Sequence, residues 1–421
     1  MYRSSYISFF IFFLIFFLLD LYVFQGVKIL TEDIVSVFLR KTFHLGYWMF
    51  FCSLMTSVFY TIFNWTSFGG MSVFAKFIVN TVITLFITKF VFIAVLLGED
   101  VYRLFAGVFN FFINGSLTEN NCCIPARKKF MSQLGIILAG IPFMSFIYGV
   151  TKGKYNYKIH HHTLHFNDLP ENFDGFTITQ LSDIHAGSLR NKKAIEKGIK
   201  LIKSQNSDII VFTGDLVNNE AREIELFINQ FKELKSPYGK FSILGNHDYG
   251  DYISWKSSFH KEENFNLLKK YHQELGFCLL LNENVYIEKN GQRINLLGVE
   301  NWGVGFRSRG DLSKALKGVN DKSFKILLSH DPSHWEKEVK KHPVKIHLTL
   351  SGHTHGFQMG IELFGIKWSP IQYRYPNWAG LTEENEKFLY INRGFGFHGF
   401  SGRVGIWPEI TVIKLRKRSN N

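Results

Sequence analysis

Five short apolar segments beyond Lys154 each lead into residues that can bind a metal ion or transfer a proton. These residues are Asp183, His185, Asp215, Asn246, His247, His330, His353 and His355. In layered α/β folds the carboxyl ends of the strands meet at one edge, so these side chains are expected to lie close together. Imidazole and carboxylate donors without thiolates favour divalent transition ions over a structural zinc site.

The number of donors predicts two ions rather than one. The candidate ligands are Asp183, His185, Asp215, Asn246, His330, His353 and His355. One ion that keeps an open position needs fewer donors, whereas two ions can share a bridging carboxylate and act together on phosphorus. Such ions also lower the pKa of a water molecule between them. His247 is not needed as a ligand, and it is the candidate to stabilise the developing charge or to protonate the leaving alkoxide.

Short apolar runs alternate with polar, helix-like segments in this part of the chain, which predicts an α/β layered fold with a mixed sheet. The predicted strands are Phe176–Leu181, Ile209–Thr213, Lys240–Leu244, Val285–Glu288, Ile294–Val299, Phe324–Ser329, Ile346–Ser351, Lys387–Asn392 and Ile410–Leu415. The predicted helices are Lys192–Ser204, Ala221–Leu234, Glu263–Leu275, Leu312–Val319 and Trp335–Lys340.

Four apolar stretches in the first third of the chain are long enough to cross a bilayer, which takes about 20 residues as a helix. They are Tyr6–Phe24, Phe43–Phe63, Phe77–Leu97 and Met131–Val150. Backbone polar groups in hydrocarbon must be paired within the segment, so helices are expected. The alternative for each stretch is a buried core helix. Lys89 lies inside the third stretch and is expected to snorkel or to face another helix.

The domain organisation follows the change in composition. Residues 1–153 are predicted to be a membrane region, residues 154–415 a catalytic domain and residues 416–421 a basic tail. The chain is thus expected to be a multi-pass protein of the cell membrane. The two loops on one side of the four stretches carry more Lys and Arg than the flanks on the other side. The positive-inside rule therefore favours an extracytoplasmic catalytic domain.

The ordered donor series resembles that of the calcineurin-like metallophosphoesterase superfamily. The resemblance covers about Tyr157 to Lys414 and is carried by Asp183-x-His185, Gly214-Asp215, Gly245-Asn246-His247-Asp248, His330 and Gly352-His353-Thr354-His355. With the apolar stretches in front, the chain is similar to the membrane-anchored subgroup of bacterial metallophosphoesterases. That subgroup often has Gly-Gly-Gln after the last ligand, whereas Phe357 stands here before Gln358, which could reshape the pocket mouth but removes no ligand.

The resemblance implies a four-layer α-β-β-α sandwich and assigns the ligands. One ion is expected to be held by Asp183, His185, Asp215 and His355. The second is expected to be held by Asp215, Asn246, His330 and His353. Asp215 would bridge the two ions and His247 would act as the acid. Manganese, zinc and iron are the candidate divalent ions.

Weaker signals have structural alternatives. His160, His161, His162 and His165 precede the first predicted strand and are interpreted as surface residues. Arg393 follows a strand and is a candidate to contact substrate phosphate, with an ordinary ion pair as the alternative. Several aromatic residues in late loops could hold a base, a sugar or an acyl chain, or could pack in the core or at the membrane surface: Trp302, Trp368, Tyr373, Tyr375 and Trp378.

The sequence as a whole predicts a membrane-anchored, metal-dependent phosphoesterase. A lipid-linked or envelope substrate is expected, because a soluble substrate would not need four helices. A phosphodiester or pyrophosphate is preferred over a phosphomonoester. The resemblance makes hydrolysis of a UDP-diacylglucosamine-type pyrophosphate possible, although that substrate requires a cytosolic or inner-leaflet site. The chain has 421 residues, 46% of them apolar, and a net charge of +13. No basic stripe is interleaved with aromatic residues, so no nucleic-acid partner is expected.

A second functional class is a transport or signalling membrane protein whose soluble part senses metal or phosphate. Asp20 and Lys89, inside the apolar stretches, are the residues that support it.

Overall fold

The computed structural model describes residues 2–64, 72–114 and 125–418. The chain divides into two compact units, Met1–Tyr148 and Gly149–Asn421. The domain boundaries derived from the sequence stay a prediction.

Long apolar helices make up the described part of the first unit and continue to the start of the second. Their bounds are α1 (Tyr2–Leu30), α2 (Val37–Phe63), α3 (Val73–Asn114) and α4 (Pro125–Thr151). Within the described residues, four helices are long and apolar enough to cross a membrane. Each predicted stretch lies inside one of them. The helices are longer than the apolar runs because flanking residues continue the same backbone hydrogen bonds, and the Ser36 side chain caps the start of α2.

The charged residue of the third stretch faces another helix, which is one of the two positions expected for it. Nζ of Lys89 lies 2.7 and 2.8 Å from the two carboxylate oxygens of Asp20. The hydroxyl of Tyr47 donates to the same carboxylate at 2.5 Å. Since Asp20 is buried, the pair and the phenol together compensate charges that would be costly alone in an apolar bundle.

The second unit alternates strands and shorter helices. The strands are β1 (Lys158–Phe166), β2 (Thr177–Leu181), β3 (Ile209–Thr213), β4 (Lys240–Ile243), β5 (Cys278–Leu279), β6 (Glu283–Lys289), β7 (Gln292–Gly298), β8 (Lys325–Leu328), β9 (Leu348–Ser351), β10 (Ile361–Leu363), β11 (Ile366–Trp368), β12 (Gly380–Glu384), β13 (Lys387–Ile391) and β14 (Glu409–Lys417). The helices are α5 (Lys192–Lys203), α6 (Ile228–Lys232), α7 (Ser258–Glu274), α8 (Leu312–Ala315) and α9 (Ser333–Lys337).

Two six-stranded mixed sheets form the centre of this unit. Their strand orders are β1-β14-β2-β3-β4-β5 and β12-β13-β9-β8-β7-β6, and β10 and β11 form a separate hairpin. Strands β2, β3 and β4 are parallel neighbours, and so are β7, β8, β9 and β13. Parallel neighbours end at the same edge, which places the loops that follow them together.

Three apolar layers hold the sheets and helices together. Side chains of both sheets, such as Val211 and Ile326, form the central layer. The helices α5 and α7 cover the outer face of the first sheet with residues such as Ile199 and Leu268. The helices α8 and α9 cover the second sheet, where Trp335 is fully buried. The predicted four-layer α-β-β-α sandwich is therefore confirmed.

The histidine-rich segment is not a lead-in to the first strand, as the sequence suggested, but is itself strand β1. Its register pairs it in parallel with β14 at the edge of the first sheet. His161 and His165 are exposed, whereas the ring of His162 packs against Tyr390 with 4.8 Å between centroids. The alternating histidines are those of an edge strand, whose polar residues face water on one side.

Other differences concern short elements and ends. The strands β5, β10 and β11 were not predicted, because two or three residues carry almost no periodic signal. Strand β12 was missed as well, since its five residues are mostly polar and exposed. The predicted helix Ala221–Leu234 is a 3₁₀ helix, Ala221–Phe227, followed by α6. Strand β14 runs to Lys417, so the first two residues of the predicted basic tail belong to the sheet. Residues 419–421 of that tail lie outside the described residues.

Candidate metal centre

Loops from both sheets bring the predicted site residues to one place. The first sheet supplies the residues that follow β2, β3 and β4, and the second sheet those that follow β8 and β9. In chain order they are Asp183, His185, Asp215, Asn246, His247, His330, His353 and His355.

Two donor groups of predicted ligands stand side by side, and a third group, His185, His247 and His398, shares His185 with one of them. In the group of Asp183, His185 and His355, the candidate ligand atoms all lie within 4.8 Å of one another. The same holds for the group of Asp215, His330 and His353. This separation suits one ion in each group.

One carboxylate lies between the two groups. Oδ2 of Asp215 is 3.1 Å from Nε2 of His330, in its own group, and 3.5 Å from Nε2 of His185, in the other. Within the groups, Nε2 of His355 is 3.1 Å from Oδ1 of Asp183, and Nδ1 of His353 is 3.3 Å from Nε2 of His330. The Asp215 carboxylate therefore faces donors of both groups.

The hydrogen bonds around the donors leave acceptor atoms facing one another. Nδ1 of His330 donates to the backbone oxygen of Thr213 at 2.7 Å, so in the neutral ring Nε2 carries a lone pair towards Asp215. Asn246 donates its amide to Tyr252, and its Oδ1 is buried without a hydrogen-bond partner among the described residues. Converging lone pairs and an orphaned oxygen are unfavourable unless cations lie between them, so the residues fit a metal centre.

The electrostatics of the buried donors agree with this fit. Burial lowers the pKa of His185 well below its usual value and that of His353 to about 4, so both rings are neutral near pH 7. Burial raises the pKa of Asp215, but the imidazoles of His330 and His247 outweigh it and hold that pKa well below its usual value. The Asp215 carboxylate in turn overcomes burial at His330 and raises its pKa to about 10. The ionised Asp215 is thus paired with a protonated His330, and a bound cation would take the place of that proton.

The backbone of the ligand loops is strained. Five of the candidate ligands have left-handed φ angles: Asp183 (50°), His185 (46°), Asp215 (60°), His353 (72°) and His355 (51°). Non-glycine residues hold such angles at a cost of about 1–3 kcal/mol each, and they do so where the surroundings impose them, often at functional sites. Glycines allow the close approach of the loops, since a Cβ on Gly245 would lie 2.2 Å from Oδ1 of Asp215.

A carboxylate beyond the ligands joins two of the loops. Asp248 is fully buried and accepts the backbone N–H groups of Asp215 and Gly245 at 2.8 and 2.9 Å. It therefore fixes the spacing between the loop after β3 and the loop after β4.

His398 is a site residue that the sequence reasoning missed. Its ring stacks on that of His185 with 4.8 Å between centroids and lies 4.4 Å from that of His247. Its backbone N–H donates to the side-chain oxygen of Gln358 at 2.6 Å. This bond links the His398 loop to the loop that contains His353 and His355. The structural reason for its position is that this glycine-rich loop follows β13, a strand parallel to β9, so it leaves the sheet at the same edge.

Arg393 stands at the end of β13 but has carboxylate partners within the protein. The side chain is 4% exposed, and its two terminal nitrogens each lie 2.5 Å from a glutamate, Glu409 and Glu362. This geometry agrees with the ion-pair alternative. Contact of Arg393 with substrate stays a prediction.

The late aromatic residues fall into two sets. Tyr375 and Trp378 are buried, and the Tyr375 hydroxyl lies 3.0 Å from Nε2 of His353. Trp302 stacks on His334. Trp368 and Tyr373 remain exposed. Packing thus accounts for Tyr375, Trp378 and Trp302. It does not account for the exposed rings of Trp368 and Tyr373.

Comparison with known proteins gives two family matches. Residues 4–154 match a family described as probable calcineurin-like phosphoesterase, transmembrane domain, and residues 176–357 match the family described as calcineurin-like phosphoesterase. YkuE of Bacillus subtilis, named as an uncharacterized metallophosphoesterase, is 28% identical over 297 residues, which are 69% of this chain and 98% of YkuE.

A bovine protein named as a transmembrane protein with a metallophosphoesterase domain is 30% identical over 264 residues, 59% of this chain and 54% of the bovine protein. The crystal structure of the phosphopantetheinyl hydrolase PptH from Mycobacterium tuberculosis is also similar to this chain. The alignment covers 52% of this chain and 89% of PptH, with 12% identity and a TM-score of 0.32. The two family matches show that this chain carries a calcineurin-like phosphoesterase domain, preceded by a domain of the kind described as the transmembrane domain of such phosphoesterases.

Proposed function

We propose that the chain is a dimetal phosphoesterase that hydrolyses a phosphodiester or pyrophosphate bond of a lipid-linked or envelope substrate. The observation that carries this proposal is the position of Asp215 between two donor groups, each with ligand atoms within 4.8 Å of one another. A site that only senses a metal needs one such group.

The proposal assigns a ligand set to each ion. The first set is Asp183, His185, Asp215 and His355, and the second is Asp215, Asn246, His330 and His353. When bound, the two ions activate water for attack on phosphorus and neutralise charge on the phosphoryl oxygens. Manganese, zinc or iron suits these nitrogen and oxygen donors.

The chain itself provides the proton for the leaving group. His247 donates its backbone N–H to Asp215 at 2.9 Å. Its ring is nearly perpendicular to that of His185, with 4.9 Å between centroids. Its Nδ1 donates to the backbone oxygen of Asn218 at 2.8 Å, so Nε2 is the nitrogen that exchanges protons with a substrate. As an imidazolium, His247 gives the Nε2 proton to the leaving oxygen and is left neutral. His247 is half-buried, so the ring remains accessible to a substrate.

The membrane region supports a lipid-linked substrate, because anchoring keeps a hydrolase at the surface where such a substrate is held. A UDP-diacylglucosamine-type pyrophosphate is one candidate and requires the catalytic domain on the cytoplasmic side. The charge bias of the loops favours the opposite side. A compartment-sensitive reporter at the C-terminus distinguishes the two: activity of a periplasmic reporter would exclude the UDP-linked substrate.

The alternative, a transport or signalling protein, rested on two charged residues inside the apolar stretches, and these two residues pair with each other in the structure. Asp20 and Lys89 neutralise each other at 2.7 Å, with the Tyr47 hydroxyl on the same carboxylate. A closed pair of this kind accounts for both charges as part of the helix packing.

The enzyme proposal is tested with the full-length chain in detergent, stripped of metal and reloaded with manganese. We expect hydrolysis of bis(p-nitrophenyl) phosphate to exceed that of p-nitrophenyl phosphate and to vanish in Asp215→Asn. Asp168→Asn, a surface carboxylate in an ion pair with Lys345, is the matched control. Equal turnover by Asp215→Asn and the control would contradict the proposal.

A further inference from the structure

The β10–β11 hairpin turns apolar side chains towards solvent. Those of Ile361, Leu363, Phe364, Ile366 and Trp368 are between 40 and 94% exposed. Single exposed apolar residues are ordinary on a protein surface, but a contiguous set on one hairpin marks a contact with protein or lipid.

The two faces of the hairpin have opposite character. The register pairs Ile361 with Trp368 and Leu363 with Ile366, so these four side chains share one face. The other face carries Glu362 and Lys367. The apolar face is open to solvent, and the polar face, although Glu362 and Lys367 keep some exposed surface, is the face that contacts the rest of the domain.

The polar face holds the hairpin against the body of the domain. Glu362 accepts from Arg393 at 2.5 Å. Lys367 donates to the backbone oxygen of Ala379 and lies over the ring of Trp378 at 4.8 Å. Since these contacts occupy both charged groups, no unpaired charge lies on the outward, apolar side.

The base of the hairpin is linked to the last turn of α4, the fourth candidate membrane helix. Gly360 donates its backbone N–H to Val404 at 3.0 Å, and the adjacent Arg403 donates to the backbone oxygen of Gly149 at 3.2 Å. Gly149 permits this approach, because a Cβ there would lie 2.6 Å from the backbone oxygen of Arg403. Two backbone hydrogen bonds, made by the adjacent residues Arg403 and Val404, thus link the base of the hairpin to the last turn of α4.

We propose that the apolar face of the β10–β11 hairpin inserts into the interfacial layer of the bilayer that holds the helices. The nearness of the end of α4 makes lipid, rather than a second protein, the occupant. Trp368 and the exposed Tyr373 are of the amphipathic aromatic type that concentrates at membrane–water interfaces. Phe364 at the tip supplies the deepest apolar group. The hairpin is a membrane contact in addition to the helices, and it does not depend on the proposed reaction.

The test places a fluorescent reporter on the hairpin of the full-length protein. Cys52, Cys122, Cys123 and Cys278 are replaced by Ser, and Phe364→Cys is labelled with an environment-sensitive nitrobenzoxadiazole group in nanodiscs of phosphatidylcholine and phosphatidylglycerol. Phe259→Cys on α7, also an exposed phenylalanine, is the control. We expect blue-shifted emission at position 364, with loss of most of its intensity when part of the lipid carries a shallow spin label. The control should show neither change.

Two outcomes would overturn the proposal. Emission at 364 equal to that at 259 places the hairpin in water. A blue shift that spin-labelled lipid does not quench places it against protein, including a second copy of the chain. Ile366→Cys, on the apolar face, is the second reporter if Phe364→Cys does not fold, as judged by circular dichroism.

Discussion

The imidazole of His247 is anchored through Nδ1, which lies 2.8 Å from the backbone oxygen of Asn218. The backbone N–H of the same residue donates to Asp215 at 2.9 Å. The ring is therefore held in one orientation beside the donor groups, with Nε2 as the only ring nitrogen free of a backbone partner.

His247→Ala is expected to lower kcat by about 10²–10⁴-fold, the usual range for losing a general acid. The loss should be large for a diester with a poor alkyl leaving group and much smaller for one that releases p-nitrophenolate, which needs no proton. Metal content, measured by inductively coupled plasma mass spectrometry, should not change. His161→Ala, on the exposed side of β1, is the control. An equal loss with both leaving groups would show that His247 does not act as the acid.

Metal stoichiometry distinguishes the shared carboxylate from ligands of one ion. Asp215 lies between both donor groups, so Asp215→Asn is expected to lower the content of both ions. His330→Ala should lose one ion and keep the other, because His330 belongs to one group. Counting metal per chain after gel filtration checks this. Retention of one full ion by Asp215→Asn would contradict the bridging position.

The loops of the candidate site were predictable from the sequence because each candidate ligand follows a strand with a strong local signal. Ile209–Thr213 is an uninterrupted apolar run ended by Gly214, and the structure gives the strand the same bounds. The carboxyl ends of parallel strands lie together even when the bounds of the connecting helices differ from those predicted. Two donor groups therefore assemble from residues that are far apart in sequence.

Features set by long-range packing were not predictable in the same way. His398 has no neighbouring histidine or acid in the sequence, and only the folding of the loop after β13 brings it to His185. The pairing of Arg393 with Glu409 joins the ends of two strands 16 residues apart, which a local pattern cannot show. Lys89 and Asp20 could be expected to avoid lipid, but their mutual contact depends on the register of two helices.

His398 lies beside both His185 and His247, so we expect it to position substrate phosphate. His398→Ala should raise KM about tenfold, the size of one hydrogen bond to a charged group, with a smaller change in kcat. His398→Gln, which keeps a donor, should restore part of the affinity. Steady-state kinetics on variants with the same metal content separate the effect on KM from the effect on kcat. A fall in kcat at unchanged KM, not relieved by Gln, would indicate a purely structural role.

The buried pair of Arg393 and Glu409 predicts a pH-dependent contribution to stability. Burial raises the pKa of Glu409, but Arg393 outweighs it and lowers that pKa to about 2, below the ordinary 4.5. The stabilisation is therefore complete above pH 4.5 and is lost as the pH falls towards 2. Glu409→Gln leaves the buried Arg393 with Glu362 as its remaining carboxylate partner, and should lower the free energy of unfolding at pH 7 by about 3 kcal/mol.

Thermal unfolding of the full-length protein across this pH range measures the effect. The gap between wild type and Glu409→Gln should narrow between pH 4.5 and 2, since protonation removes the same charge that the substitution removes. Glu288→Gln breaks a surface pair with Arg293 and should change stability by less than about 1 kcal/mol at any pH. A gap that stayed constant down to pH 2 would mean that packing, not the charge of Glu409, accounts for its contribution.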